Sequence, residues 1–142
     1  MFKEILLPVD LGNHETQEKA VAAAVELAKA FGCRLHVMTI VPDFGESFVS
    51  SFFPVDYQEK AVEAASAQLH EFVKARVPET VPVQHIVAHG TIYGEIVAYA
   101  KKVAADLIVM ASHRPELSDH LLSPNAAQVE RHAACSVLVV RD

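Results

Sequence analysis

Short apolar segments alternate with longer amphipathic segments along the whole chain. The apolar run at residues 5–9 is followed by a stretch, from about residue 14 to residue 31, in which small and apolar side chains recur at helical spacing. Gly32 ends this predicted helix, and a second apolar run at residues 35–41 stops at Pro42. This part of the chain therefore predicts a strand, a helix and a second strand.

The same alternation continues to the end of the chain. It predicts helices at about 57–76, 92–103 and 125–132, and strands at 83–88, 107–110 and 136–140. The strands are continuous Val, Ile and Leu runs, which favours burial on both faces, and helix-length segments separate them. We therefore expect an α/β fold in a single domain, residues 1–142, with a doubly wound parallel sheet of five strands and four helices.

Composition and charge exclude several classes of partner. The chain has 142 residues, 51% of them hydrophobic, which suffices for one buried core. Its 12 basic and 18 acidic residues give a net charge of −6 without a basic cluster, so no nucleic acid partner is expected. No apolar run has the length of a membrane span, and we expect a cytoplasmic protein that does not contact a membrane. Cys33 and Cys135 lie outside any metal-ligand motif, so we expect reduced thiols and no metal site.

Most chemistries that use a doubly wound sheet need a motif that this sequence lacks. The first strand is not followed by Gly-x-Gly-x-x-Gly, and no Gly-Lys-Ser/Thr phosphate loop is present. A phosphoacceptor receiver domain would need an acidic cluster at the ends of the first and third strands, where only Asp10 is found. A Gly-x-Ser-x-Gly nucleophile elbow is also missing. The protein is therefore expected not to be an efficient enzyme, with slow ATP hydrolysis left open.

Ligands of such a sheet bind beyond the carboxyl ends of its strands, and two polar segments are expected there. Ala-Ser-His-Arg-Pro at 111–115 follows the fourth strand, and Ser-Pro-Asn-Ala-Ala at 123–127 opens the last helix. A helix N-terminus offers unpaired N–H groups to an anion, and His113 and Arg114 would supply further donors. These segments are candidates for binding a phosphate.

The same residues also have a purely structural interpretation. Ser123 or Asn125 would cap the last helix, and Pro124 would fill an early helical position that suits its fixed φ. Arg114 would then be a solvated loop charge. Both interpretations remain open on the chemistry of the residues alone.

Asp10 is the acidic residue at the end of the first strand. Its carboxylate can accept a hydrogen bond from a ribose hydroxyl or from an adenine amino group. The alternative is that it caps the turn at Leu11 and Gly12. His36 and His85 lie inside strand runs, where histidines are more often satisfied core or edge residues than ligands, and we assign them no role.

Three blocks of the sequence carry a resemblance to a known family. They are Ile-Leu-Leu-Pro-Val-Asp at 5–10, Asp-Leu-Ile-Val-Met-Ala-Ser-His at 106–113 and Arg-His-Ala-Ala-Cys-Ser-Val-Leu-Val-Val-Arg at 131–141. In this order they resemble the universal stress protein family across essentially the whole chain. The Ala-Ser-His-Arg-Pro turn and the Asn-Ala-Ala helix opening look most like its small bacterial F/G-type branch.

The resemblance implies a Rossmann-like fold of the adenine nucleotide alpha hydrolase type and a stress-response regulatory protein that binds ATP or AMP. By position, the residues implied for the adenine and ribose are Pro8, Val9, Asp10, Val41, Met110 and Ala111. Those left for the phosphates are His113, Arg114, Ser123 and Asn125. The resemblance also implies a cytoplasmic homodimer that pairs its last strands, from Ser136 to Val140, and an unidentified protein partner.

The sequence departs from the nucleotide-binding pattern of the family at the phosphate loop. The pattern is Gly-x-x-Gly, nine residues, then Gly-Ser/Thr. Here the glycines fall on Ala111 and Arg114, and the Gly-Ser pair becomes Ser123-Pro124 or, counted one residue later, Pro124-Asn125. Proline has no N–H to donate, and losing one charged hydrogen bond costs about 1.5 to 3 kcal/mol. We expect weakened nucleotide binding. The alternative is a dimeric interaction protein of the same family that works without nucleotide.

The connection at residues 42–57 is long for a strand–helix loop and contains four of the seven phenylalanines. They are Phe44, Phe48, Phe52 and Phe53. One interpretation is that the rings close over the core beside the second strand. The other is that they cover the nucleotide cleft or form a subunit or partner contact.

Overall fold

Five strands and four helices alternate in the computed structural model, which describes residues 1–12, 17–41, 57–112 and 122–141, and for residues 122–124 the backbone alone. In chain order they are β1 (Glu4–Pro8), α1 (Glu18–Phe31), β2 (Arg34–Val41), α2 (Tyr57–Arg76), β3 (Val83–His89), α3 (Ile92–Lys102), β4 (Leu107–Ser112), α4 (Leu122–His132) and β5 (Ser136–Arg141). The phenylalanines at 44, 48, 52 and 53 lie outside the described residues, so neither interpretation of that segment is tested.

All four strand pairings of the sheet are parallel, and the strand order is β3-β2-β1-β4-β5. The chain moves outward from β1 to β3, returns to the other side of β1 with β4, and ends at β5. The predicted doubly wound parallel sheet is therefore confirmed. The order reverses between β1 and β4, which in such sheets is where the ligand crevice lies.

Alternate residues of β1, β2, β3 and β4 contribute to two separate cores, one on each face of the sheet, whereas β5 has no buried residue, so the expected burial on both faces is wrong for that edge strand. Ile5 and Leu7 belong to a core with residues of α1 and α2, whereas Leu6 belongs to the opposite core with residues of α3 and α4. A strand that is covered on both faces has no solvent side, so β1 and β4 are apolar without alternation. This is the physical reason that the continuous apolar runs predicted the sheet correctly.

Helix boundaries agree with the sequence pattern at α2 and differ at α1 and α4. Helix α1 begins at Glu18 rather than near residue 14, and residues 13–16 lie outside the described ranges. Helix α4 begins at Leu122 rather than at Asn125, so Ser123 and Asn125 lie within its first turn and neither is the residue preceding the helix. By position, therefore, neither residue is the N-cap that the structural interpretation made of one of them. Proline is tolerated in a first turn because its missing N–H would have no intrahelical acceptor there, and Pro124 therefore does not delay the helix.

Two polar networks hold the strands together at the amino ends of the sheet. Buried His36 on β2 contacts Glu4 Oε2 on β1 through Nε2, at 2.8 Å, and Gln84 Oε1 on β3 through Nδ1, at 2.6 Å. The carboxylate of Asp106 accepts hydrogen bonds from the main-chain N–H groups of Lys3 and Glu4, with a shortest distance of 2.9 Å. His36 thus has a structural role that satisfies its buried ring.

Both cysteines of the chain are free thiols. Cys33 is buried and Cys135 is partly buried, and burial is the main cause that raises the pKa of each thiol. Across the described ranges, no three His, Cys, Asp or Glu side chains are grouped so that they could hold a metal ion. In the same part of the chain no helix is both long and apolar enough to cross a membrane.

Candidate functional site

The carboxyl ends of β1, β2, β3 and β4 lie side by side at one edge of the sheet. The Val9 N–H donates to Met38 O at 2.8 Å just beyond β1, and the Gly90 N–H donates to Val41 O at 3.2 Å just beyond β3. These two hydrogen bonds extend the parallel ladders past the last strand residues. The turns that follow the strands therefore begin from fixed positions around the crevice at β1 and β4.

The residues predicted for the adenine and ribose half lie at this edge, and four of them are buried. Val9 and Ala111 belong to the core shared with α1 and α2, and Met110 belongs to the core on the other face. Val41 is 8% exposed and Met110 is 1% exposed. The side chain of Met110 is therefore core, and this residue can meet a ligand at the strand ends only through its main chain.

Asp10 is half-buried and forms a turn with Gly12. Its Oδ1 accepts a hydrogen bond from the Gly12 N–H at 2.9 Å. This is the capping interaction that the sequence allowed as the alternative to ligand binding. The second carboxylate oxygen, Oδ2, makes no hydrogen bond within the described part of the chain. The two interpretations of Asp10 are therefore compatible, because the turn uses one oxygen and the other remains an acceptor.

Gln17, which the sequence analysis did not identify, holds the main chain of Asp10. Its side-chain Oε1 accepts from the Asp10 N–H at 2.8 Å, and its Nε2 donates to the Asp10 carbonyl oxygen. The residue is 1% exposed, although it immediately precedes α1. A glutamine after a polar turn has no distinctive pattern in a sequence, so only its burial and its partner identify it.

The turn after β3 requires glycine and has a carboxylate of α3 beside it. Gly90 has φ +136°, and a Cβ atom there would lie 2.8 Å from Glu95 Oε1. Glutamate in the first turns of α3 is favourable for the helix dipole. It also means that the N-terminus of α3 already has an acidic group beside it, which disfavours a phosphate at this turn.

The structure does not test the residues predicted to meet phosphates, because most of them lie outside its described part. His113 and Arg114 lie outside the described residues, as does the side chain of Ser123. Asn125 is half-buried in the first turn of α4 and takes part in an interaction there. The phosphate half of the site therefore stays a prediction.

A cavity of about 460 Å³ lies between Leu11 and helix α2, and among the described residues none of those predicted to bind the ligand lines it. Its lining includes Phe72 and Arg76. Arg76 is already engaged, because it contacts the Glu18 carboxylate at 2.9 Å and its guanidinium lies 4.0 Å from the centre of the Phe72 ring. The cavity thus offers an apolar wall and a paired cation rather than a free cation for a phosphate.

Comparisons with known proteins agree with this architecture. The family profile described as "Universal stress protein family" matches residues 1–141. "Universal stress protein G" of Shigella flexneri is 33% identical over 145 residues, which is 99% of this chain and 100% of the relative.

Solved structures that are similar in fold include two that are complexes with a nucleotide. A universal stress protein in complex with cAMP has a TM-score of 0.65 and 21% identity, and covers 99% of this chain and 97% of its own. The universal stress protein from Archaeoglobus fulgidus in complex with dAMP has a TM-score of 0.60 and 18% identity, with 98% of each chain covered. With its family profile, its close relative and its sheet order in agreement, this chain belongs to the universal stress protein family.

Proposed function

We propose that this protein is a stress-response regulatory protein that binds an adenine nucleotide, ATP or AMP, at the carboxyl ends of β1, β2 and β4. Binding would act through a conformation or an assembly that other cytoplasmic proteins recognise. The observation that carries the proposal is the Asp10 carboxylate, which lies where the strand order reverses and has one acceptor oxygen outside its own turn. A ribose hydroxyl or an adenine amino group is a donor that this oxygen can accept.

The similarity to proteins solved with cAMP and with dAMP supports the adenine class of ligand. Pro124, in the first turn of α4, supports weak rather than tight binding of a triphosphate, since proline supplies no N–H donor. The adenine and ribose half of the site is therefore proposed to contribute more affinity than the phosphate half.

The test is a calorimetric titration of the nucleotide-free protein with ATP, AMP and cyclic AMP. Two substitutions of the same residue isolate the acceptor. Asp10→Asn keeps an oxygen for the Gly12 N–H but replaces the second acceptor by an NH₂ donor, whereas Asp10→Ala removes both oxygens. We expect both variants to weaken nucleotide binding by a similar factor, with only Asp10→Ala losing the turn. Wild-type affinity in both folded variants would contradict the assignment.

A second candidate function is a dimeric interaction protein that works without nucleotide. The observation in its favour is strand β5, which among the described strands pairs only with β4 and lies at the edge of the sheet. Leu138 and Val139 are exposed there, at 38% and 40%. An apolar open edge favours pairing with another strand, and we propose antiparallel pairing of two copies from Ser136 to Val140. Absence of any nucleotide binding, with a dimer present, would favour this candidate.

A further inference from the structure

The side chain of Gln17 forms two hydrogen bonds with a single residue, Asp10. It accepts from the main-chain N–H of Asp10 and donates to its carbonyl oxygen, seven positions earlier in the chain. Gln17 is the N-cap of α1, yet its side chain makes no capping hydrogen bond to that helix. The amide is buried, and its donor and its acceptor are both directed to the turn after β1.

The Gln17 side chain takes the place of a neighbouring strand as hydrogen-bond partner where β1 ends. The last ladder hydrogen bond of β1 with β2 is the one from the Val9 N–H to Met38 O. Beyond it, the N–H and the C=O of Asp10 need other partners, because buried main-chain groups are almost always paired. The Gln17 amide presents a donor and an acceptor together, as a neighbouring strand would. The orientation of the Asp10 peptide, and so of its carboxylate, depends on this side chain.

We propose that Gln17 is a positioning residue for the nucleotide site and acts through Asp10. The inference rests on the proposed function for the role of Asp10 in binding. Gln17 is only 1% exposed, so it acts on a ligand indirectly. It fixes the Asp10 turn, in which Oδ1 accepts from the Gly12 N–H, so that the carboxylate has one orientation before the ligand arrives. Such preorganisation improves affinity by removing the cost of ordering the site.

The test is a double-mutant cycle with Gln17→Leu, Asp10→Ala and the combined variant. Leucine keeps the bulk of the side chain and removes both hydrogen bonds. We expect Gln17→Leu to weaken ATP or AMP binding about tenfold, which corresponds to one hydrogen bond to a charged group. In the Asp10→Ala background the same change should have no further effect on affinity, because the group that Gln17 positions is gone. Equal weakening in both backgrounds would overturn the proposal.

A matched control separates positioning from stability. Val21, one turn further along α1, is equally buried but has no hydrogen bond to the turn, so Val21→Ala should lower the melting temperature and leave nucleotide affinity unchanged. If Val21→Ala weakens binding as much as Gln17→Leu does, the effect is general loss of stability and the inference fails.

A second readout is independent of nucleotide binding. Hydrogen exchange at the Gly12 amide reports directly on its bond to Asp10 Oδ1. We expect the amide to lose protection in Gln17→Leu and in Asp10→Ala but to keep it in Val21→Ala. If the wild-type protein binds no nucleotide, the proposed function fails, and Gly12 exchange alone decides whether Gln17 positions Asp10. Full protection in Gln17→Leu would overturn the inference in either case.

Discussion

The imidazole rings of His70 on α2 and His85 on β3 stack face to face, with centroids 3.8 Å apart and an angle of 11° between their planes. Burial, and secondly the proximity of His70, lowers the pKa of His85 from its ordinary value of 6.5. The register partner of His85 on β2 is the apolar Val37. The stack joins a helix to an edge strand and is stable when His85 is neutral.

The first prediction is that acidification weakens the fold through His85. Below its ordinary pKa of 6.5 the unfolded chain binds a proton at this residue, while the folded protein resists protonation until a lower pH. The unfolded state then binds more protons, so the free energy of unfolding falls as the pH decreases through this window. Urea unfolding between about pH 7.5 and about pH 5.5 measures the slope.

The variant His85→Phe keeps an aromatic ring for the stack and removes the titrating group, so we expect a shallower decrease in stability at acidic pH. His132→Phe is the control, because His132 is an exposed histidine whose ring also stacks on an aromatic partner, Tyr93, at 5.8 Å. An unchanged slope in His85→Phe would show that the stack does not contribute to the pH dependence.

The second prediction concerns Asp106, which follows α3 and binds the start of β1. Asp106→Ala removes the acceptor of the Lys3 and Glu4 N–H groups, and we expect it to lower the free energy of unfolding by about 1 to 3 kcal/mol. Asp106→Asn retains one acceptor oxygen and should cost less. Equal stability of wild type and Asp106→Ala in denaturant unfolding would contradict this role.

The third prediction concerns the phosphate half of the site. Pro124→Gly restores an N–H and a small residue in the first turn of α4, and we expect it to tighten ATP binding by about tenfold or more. Ala127→Gly, further along α4, is the control for the flexibility that glycine adds. If Pro124→Gly and Asp10→Ala both leave the ATP affinity unchanged in calorimetry while the fold is retained, the assignment of the pocket is wrong.

The fourth prediction concerns assembly through β5. Leu138→Pro removes a main-chain donor and should yield monomer or aggregate, and Leu138→Glu should yield monomer by placing charge at the interface. Tyr93→Glu is the matched control, because Tyr93 is 39% exposed and lies on α3, whereas Leu138 is 38% exposed. Light scattering at micromolar concentration measures the mass. A wild-type monomer would be inconsistent with the proposed dimer.

The apolar pattern determined the fold because the length and spacing of each segment fit only one kind of element, a strand or a helix. Residues 107–110 and 136–140 are too short for helices between their flanking polar turns, and 57–76 repeats at helical spacing, so α2 was predicted at its observed bounds. The start of α4 was misplaced because a proline is as compatible with the first turn of a helix as with the loop before it. Local sequence does not distinguish these two cases.

For the site, the sequence determined which residue types stand at the strand ends, and the tertiary structure decided what each of them contacts. Asp10 was identified because it directly follows a buried strand. Its roles in the turn and in ligand binding are compatible because the Gly12 N–H donates to only one of its two carboxylate oxygens, which the sequence does not show. Gln17 gave no signal and His85 was assigned no role, because their partners, Asp10 and His70, meet them through the turn after β1 and through the packing of α2 on β3. Contacts of this kind depend on how several elements are placed relative to one another. A sequence pattern shows only the spacing of residues within a single element, so it does not predict them.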